Sequence, residues 1–87
     1  MEINSILVHP QDNVAVVVKA LKAGEKVLGV AGDRLTATQD VPKHHKVALR
    51  AIPVGAKIIK YGESIGIASQ AITPGDWVHT HNVKAED

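Results

Sequence analysis

The chain has 87 residues, 45% of them hydrophobic, with ten basic against nine acidic side chains, a formal charge of +1 and no cysteine. That length supports one domain with a modest core, burying only about 60 to 65% of its unfolded surface. Without a basic block or an aromatic ladder the near-neutral balance argues against nucleic acid; the missing cysteines exclude disulfides and thiolate metal sites, and no apolar run approaches the ~18 residues of a membrane span.

Tyr61 and Trp77 are the only aromatic residues and there is no Phe, so the core must be built from Val, Ile, Leu and Ala. Valine and isoleucine favour strands. The opening MEINSILVHPQDN lacks the basic region, apolar run and small-residue cleavage site of a signal peptide. The expectation is a soluble, cytoplasmic protein with one domain over residues 1–83 and a charged tail, residues 84–87, that frays.

In chain order, residues 3–9 read as a first strand closed by the turn Pro10, Gln11, Asp12, Asn13. Asp12 or Asn13 offers a helix N-cap, and residues 13–23 (NVAVVVKALKA) predict a short helix burying Val14, Val17, Val18 and Leu21, although the valines also suit a strand. Residues 26–30 and 34–39 flank Ala31, Gly32 and Asp33 as a hairpin. Val41 to His45 is a polar connection, followed by predicted strands at 46–52, 57–60, 64–68 and 78–81. Gly66 within the third of these marks a bulge or a close backbone approach. One small pattern recurs three times: an apolar anchor, a turn with glycine three residues on, and a strand start, at Leu21 with Gly24, Ile52 with Gly55 and Ile72 with Gly75. Many short strands with glycine turns and at most one short helix argue for a mainly β domain folded over on itself.

The unusual residues concentrate in residues 52–82. If Trp77, Val78, His79, Thr80, His81 and Asn82 form an extended run, the two-residue period puts His79 and His81 on one face. The ordered set His45 Lys46 Val47 Ala48 Leu49, then Ile52 and Gly55, then Lys60 Tyr61 Gly62 Glu63, then Gly75 and Trp77 to Asn82 resembles the SAF domain of the altronate and galactarate dehydratase family. His9, Pro10 and residues 12–16 resemble that domain's opening, so the likeness covers essentially the whole chain. It implies a SAF-type β-clip fold and a sugar-acid lyase whose large catalytic part lies on another domain or chain. In the altronate dehydratase small subunit, and the similar small subunit of sulfolactate sulfo-lyase, the small domain is a separate polypeptide. The resemblance also implies a divalent metal, Fe2+ first and Mn2+ second, shared with the large subunit. The family usually has glycine before its His–Lys pair, whereas this chain has His44, which leaves the backbone before His45 open.

Eliminating water from a polyhydroxy acid requires taking the proton beside a carboxylate and assisting the departing hydroxyl. His79 and His81 could ligate a metal as neutral imidazoles or act as acid and base, yet two ligands are fewer than the three protein ligands of a catalytic site. The alternative is a solvated pair near the C-terminus. His45 and His81 are the expected catalytic residues, His79 and His81 the expected metal ligands. Lys60 would bind the substrate carboxylate, Tyr61 would donate a hydrogen bond and Asn82 would bind a hydroxyl or orient His81; a solvated Lys60, a half-buried Tyr61 and a strand-ending Asn82 are the alternatives. Trp77 reads as core or subunit interface. The expected partners are the large subunit and a sugar-acid substrate, with self-association open. The competing function is a carbohydrate-binding or assembly module, as other SAF-like domains are; a free-standing metal binder is a third.

Overall fold

The computed structural model describes residues 3–30 and 34–86, and these contain seven strands and no helix. The strands are β1 (Ser5–Ile6), β2 (Val14–Val17), β3 (Lys46–Ala48), β4 (Lys57–Lys60), β5 (Glu63–Ala68), β6 (Trp77–Val78) and β7 (Val83–Lys84). They form two antiparallel sheets, ordered β1-β2-β3-β6 and β4-β5-β7. The mainly β expectation holds.

The short helix expected over residues 13–23 does not form. Val14–Val17 is instead an inner strand of the four-stranded sheet, paired to β1 on one side and β3 on the other. The physical reason is burial of both faces. Val14 packs into one apolar cluster with Ala48, Ile52, Ile58, Ala68, Ile72 and Val78, while Ala15 and Val17 pack into a second with Leu21, Val27, Val41 and Val47. A strand covered on both sides reads as a continuous apolar run, and such a run satisfies helical spacing by accident.

Asp12 and Asn13 do not cap a helix; they clamp the β4–β5 hairpin. The Asn13 amide accepts from the Ile59 N–H at 2.8 Å and donates to the Lys57 carbonyl at 2.9 Å. The Asp12 carboxylate, 1% exposed, accepts the N–H groups of His9, Tyr61 and Gly62. Tyr61 and Gly62 both carry positive φ, 58° and 74°, as a two-residue turn between Lys60 and Glu63 requires.

The anchor pattern occurs four times, not three. Leu21, Val41, Ile52 and Ile72 are all buried and pair as two isolated bridges, Leu21 with Val41 and Ile52 with Ile72. Each is followed by a turn closed from its fourth residue to its first, with positive φ at the third: Gly24, His44, Gly55 and Gly75. His44, at φ 71°, therefore adopts the glycine conformation, and the backbone before His45 follows the same path as in the other copies.

Gly66 sits at a bulge in β5, where Ile58 faces Gly66 but Ile59 faces Ser64. A Cβ there would stand 2.8 Å from the Lys84 carbonyl oxygen, so the glycine admits β7. Lys84, expected in a frayed tail, pairs with Ile67, and Glu86 accepts from the Ser64 hydroxyl at 2.7 Å and lies 3.6 Å from the Lys57 ammonium. The flanks of the expected hairpin pair through Lys26 and Thr36; its turn, residues 31–33, lies outside the described residues. Among the described residues no helix is long and apolar enough to cross a membrane.

Candidate functional site

The pairing of β3 with β6 assembles the site. Lys46 faces Val78 and Val47 faces Trp77, so continuing the antiparallel register sets His45 opposite His79. Their ring centroids are 4.5 Å apart. The strand expected over residues 78–81 ends at Val78, and residues 79–82 form a turn in which the Asn82 N–H donates to the His79 carbonyl at 3.1 Å. The cause is Asn82: buried at 4% exposure, its Oδ1 accepts the His79 N–H at 2.9 Å and its Nδ2 donates to the Trp77 carbonyl at 2.8 Å. Those two bonds stop the ladder and reverse the chain into β7.

His79 and His81 nevertheless meet, through Trp77 rather than through strand alternation. The indole stacks on His79, with planes 9° apart and centroids at 5.5 Å, and His81 approaches it at 4.8 Å. The indole N–H also donates to His45 Nδ1 at 3.0 Å. Trp77, read from sequence as core or interface, is the hub of three histidine rings and packs its flank on the Val17 and Val47 cluster. Its place two residues before His79 was the available signal.

The charges acting on His79 are positive, whereas the Asp76 carboxylate lies within electrostatic reach of His81. His79 resists protonation because it loses hydration against its neighbours and because His45, Lys46 and His81 add positive charge, so its pKa lies below the ordinary histidine value. Lys46 is half-buried, and burial first and Lys60 second lower its pKa. Lys60 holds its ammonium 4.8 Å from the centroid of the Tyr61 ring, and Tyr61 is 58% exposed. Lys60 and Tyr61 contact each other but neither lines the groove nor touches the histidine rings; Lys60 acts on the site only through its charge on Lys46. None of Lys46, Lys60 or Lys84 forms an ion pair among the described residues.

Beside the hub lies an open groove of about 410 Å³, lined chiefly by Lys46, His79, Thr80, Lys84, Ile65 and Val83. Sequence reasoning assigned no site role to Thr80, Lys84, Ile65 or Val83, because β5, β7 and the turn converge only once the bulge at Gly66 lets β7 dock. Cationic sides with a partly apolar floor suit a small organic anion. The other two histidines lie elsewhere: the ring of His9 packs beside Gly62, and His44 is exposed in its turn.

The described residues do not by themselves assemble a metal centre. No group of three His, Asp or Glu side chains converges among the described residues, and the lone pair of His45 Nδ1 is engaged by the indole.

A family model described as the altronate/galactarate dehydratase SAF domain matches residues 3–86. The chain is 39% identical over 79 residues to altronate dehydratase of Bacillus subtilis, spanning 91% of this chain and 16% of that protein. It is 45% identical over 75 residues to galactarate dehydratase (L-threo-forming) of Escherichia coli, spanning 84% of this chain and 14% of that protein. It is also 34% identical over 87 residues to (2R)-sulfolactate sulfo-lyase subunit alpha of Chromohalobacter salexigens, covering 92% of this chain and 93% of that subunit. The chain thus corresponds to a small part of the two dehydratases and to nearly all of the sulfo-lyase subunit. Its fold, its matched motifs and these relatives agree: the chain belongs to the altronate/galactarate dehydratase SAF domain family.

Proposed function

We propose that this chain is the small subunit of a lyase that eliminates water from a polyhydroxy acid such as altronate, and that it lends His45, His79 and His81 to an active site completed by a larger catalytic subunit. The observation that carries the reading is the convergence of three imidazoles on Trp77 at the edge of a groove lined by Lys46 and Lys84. A lyase of this kind needs an anion site beside proton-transfer groups, and the chain offers both.

In the reaction a base takes the proton on the carbon bearing the carboxylate. Its electron pair forms the new double bond as hydroxide leaves the neighbouring carbon and is protonated to water; the enol then rearranges to the 2-oxo acid. His79, whose protonation is disfavoured, keeps a lone pair near neutral pH and suits proton acceptance. His81 serves the proton-donating side, and His45 donates a hydrogen bond to the oxygen that gains charge. Lys46 and Lys84, with Lys60 behind Lys46, oppose the charge growing on the carboxylate. Tyr61 offers an exposed phenol to a substrate hydroxyl, and Asn82 holds the turn that carries His79 and His81. In the alternative arrangement His79 and His81 would be lent as ligands to a divalent ion, Fe2+ or Mn2+, completed by the larger subunit; it would supply Lewis-acid chemistry there, and proton transfer would fall to other groups.

A second reading differs only in the leaving group. Near full-length coverage of the sulfo-lyase subunit supports sulfite departing from sulfolactate. The test is to co-express the chain with a large lyase subunit and assay 2-oxo acid formation anaerobically, with ferrous ion, from altronate, galactarate and sulfolactate. Turnover that needs both chains supports the proposal, and the preferred substrate separates its two forms. A chain that leaves every large subunit's activity unchanged contradicts it and favours the binding or assembly module.

A further inference from the structure

We infer that Trp77 is a positioning residue that fixes the tautomer of His45, so that His45 works through its Nε2–H as a hydrogen-bond donor while the tautomers of His79 and His81 stay free. The functional half of this inference rests on the lyase reading; the tautomer does not.

An indole nitrogen can only donate. With Trp77 Nε1 at 3.0 Å from His45 Nδ1, that imidazole nitrogen must be the acceptor, and the proton of the neutral ring sits on Nε2. The partner of one ring nitrogen thus sets what the other can do. The lock is rigid at both ends. Trp77 is held in β6 by pairing to Val47, its backbone N–H donates to Gln39 Oε1 and its carbonyl accepts from Asn82, while the ring packs against the buried cluster of Val17 and Val47. His45 is held by the turn that closes on the Pro42 carbonyl and by its own carbonyl, which accepts the Val17 N–H at 2.8 Å.

His79 and His81 meet the same indole differently. They touch its π system rather than its N–H, which leaves the nitrogens of both rings without a bond from Trp77. One tryptophan therefore sets one of three chemically equal side chains as a fixed donor and leaves the ring nitrogens of the other two free to take either role. A neutral imidazole donor facing an oxygen that gains charge stabilises an enolate without transferring its proton, and this is the task assigned to His45.

The tautomer is read by nitrogen-15 NMR of the labelled, metal-free chain at pH 7.5, where two-bond couplings distinguish a protonated ring nitrogen from a bare one. Wild-type His45 is expected as the Nε2–H form, and Trp77→Phe, which keeps a ring but loses the donor, as a mixture of both forms. A wild-type His45 that is mixed or Nδ1-protonated overturns the inference with no variant needed. In the two-subunit enzyme Trp77→Phe should lower kcat by about 10- to 100-fold with little change in KM. Unchanged kcat in an enzyme that still requires this chain rejects the role of His45 while leaving the lyase reading intact; absence of turnover with wild-type chain rejects the lyase reading while the NMR result still decides the tautomer.

Discussion

The carboxylate of Asp12 accepts the backbone N–H of Gly62 at 2.8 Å across 50 residues of chain, and its second oxygen accepts that of Tyr61 at 3.0 Å. Both donors belong to the turn that carries Lys60 and Tyr61, so a buried acid outside the site sets the site's edge. Replacing Asp12 by Ala leaves these N–H groups without a partner, at about 1–3 kcal/mol for each group left buried. The expected outcome for Asp12→Ala is a melting temperature lower by roughly 8 °C or more, with Asp12→Asn intermediate because one oxygen can still accept. Thermal unfolding by circular dichroism measures it; an unchanged midpoint would show that water replaces the clamp without penalty.

His44 holds glycine's conformation with φ of 71°. A side chain there is strained, whereas glycine is not, though glycine also makes the unfolded chain more flexible. His44→Gly should stabilise the fold by about 0.5–1 kcal/mol, and His44→Val, β-branched, should destabilise it. Denaturant titration checks the order Gly above His above Val. A His44→Gly variant less stable than the parent would mean that the imidazole makes a contact worth more than the strain.

Gly66 lets β7 lie against β5, and β7 supplies Val83 and Lys84 to the groove. Gly66→Ala drives a methyl group toward the Lys84 carbonyl. Hydrogen exchange at Val83 and Lys84 should accelerate at least tenfold, while exchange at Ala15 and Val47 in the other sheet stays nearly unchanged. Uniform acceleration across both sheets would contradict a local effect.

Acidification should weaken the fold in two stages. His79 is harder to protonate folded than unfolded, so its effect is absent above the ordinary histidine range and stability falls as the pH drops below it. Asp76 follows at lower pH. Partial burial opposes its ionisation, but hydrogen bonds from Thr38 and Thr73 outweigh that and leave its pKa lowered, so the stability it contributes is present above the ordinary carboxylate range and lost as the pH falls through the lowered value. Melting temperatures from pH 8 to pH 3 should show both stages, the first reduced in His79→Gln and the second in Asp76→Asn. A midpoint that rises between pH 7 and pH 5 would contradict the sign assigned to His79.

How much was legible in the chain follows from where each signal lies. Glycine turns and β-branched runs act locally, so the mainly β class, the bulge at Gly66 and three anchor turns could be read directly. The fourth turn escaped because His44 occupies a position whose conformation normally advertises itself through glycine. The valine run at 14–18 was ambiguous because burial of both faces erases the period that separates strand from helix. Asp12 and Asn13 looked like a helix cap because their true partners, Ile59, Tyr61 and Gly62, are far along the chain. In the site, spacing singled out His79 and His81 on the assumption of an extended run, but what joins them, an indole with a turn closed by Asn82, depends on the β3–β6 pairing.

The central claim is that His79 and His81 act in elimination rather than in folding. The most direct measurement is 2-oxo acid formation by the reconstituted two-chain enzyme with His79→Ala and His81→Ala, each variant checked for unchanged melting temperature and association with the large subunit. The account predicts a loss of kcat of about 100-fold or more for His79→Ala, and a clear loss for His81→Ala. Wild-type turnover by both variants in intact complexes would contradict it.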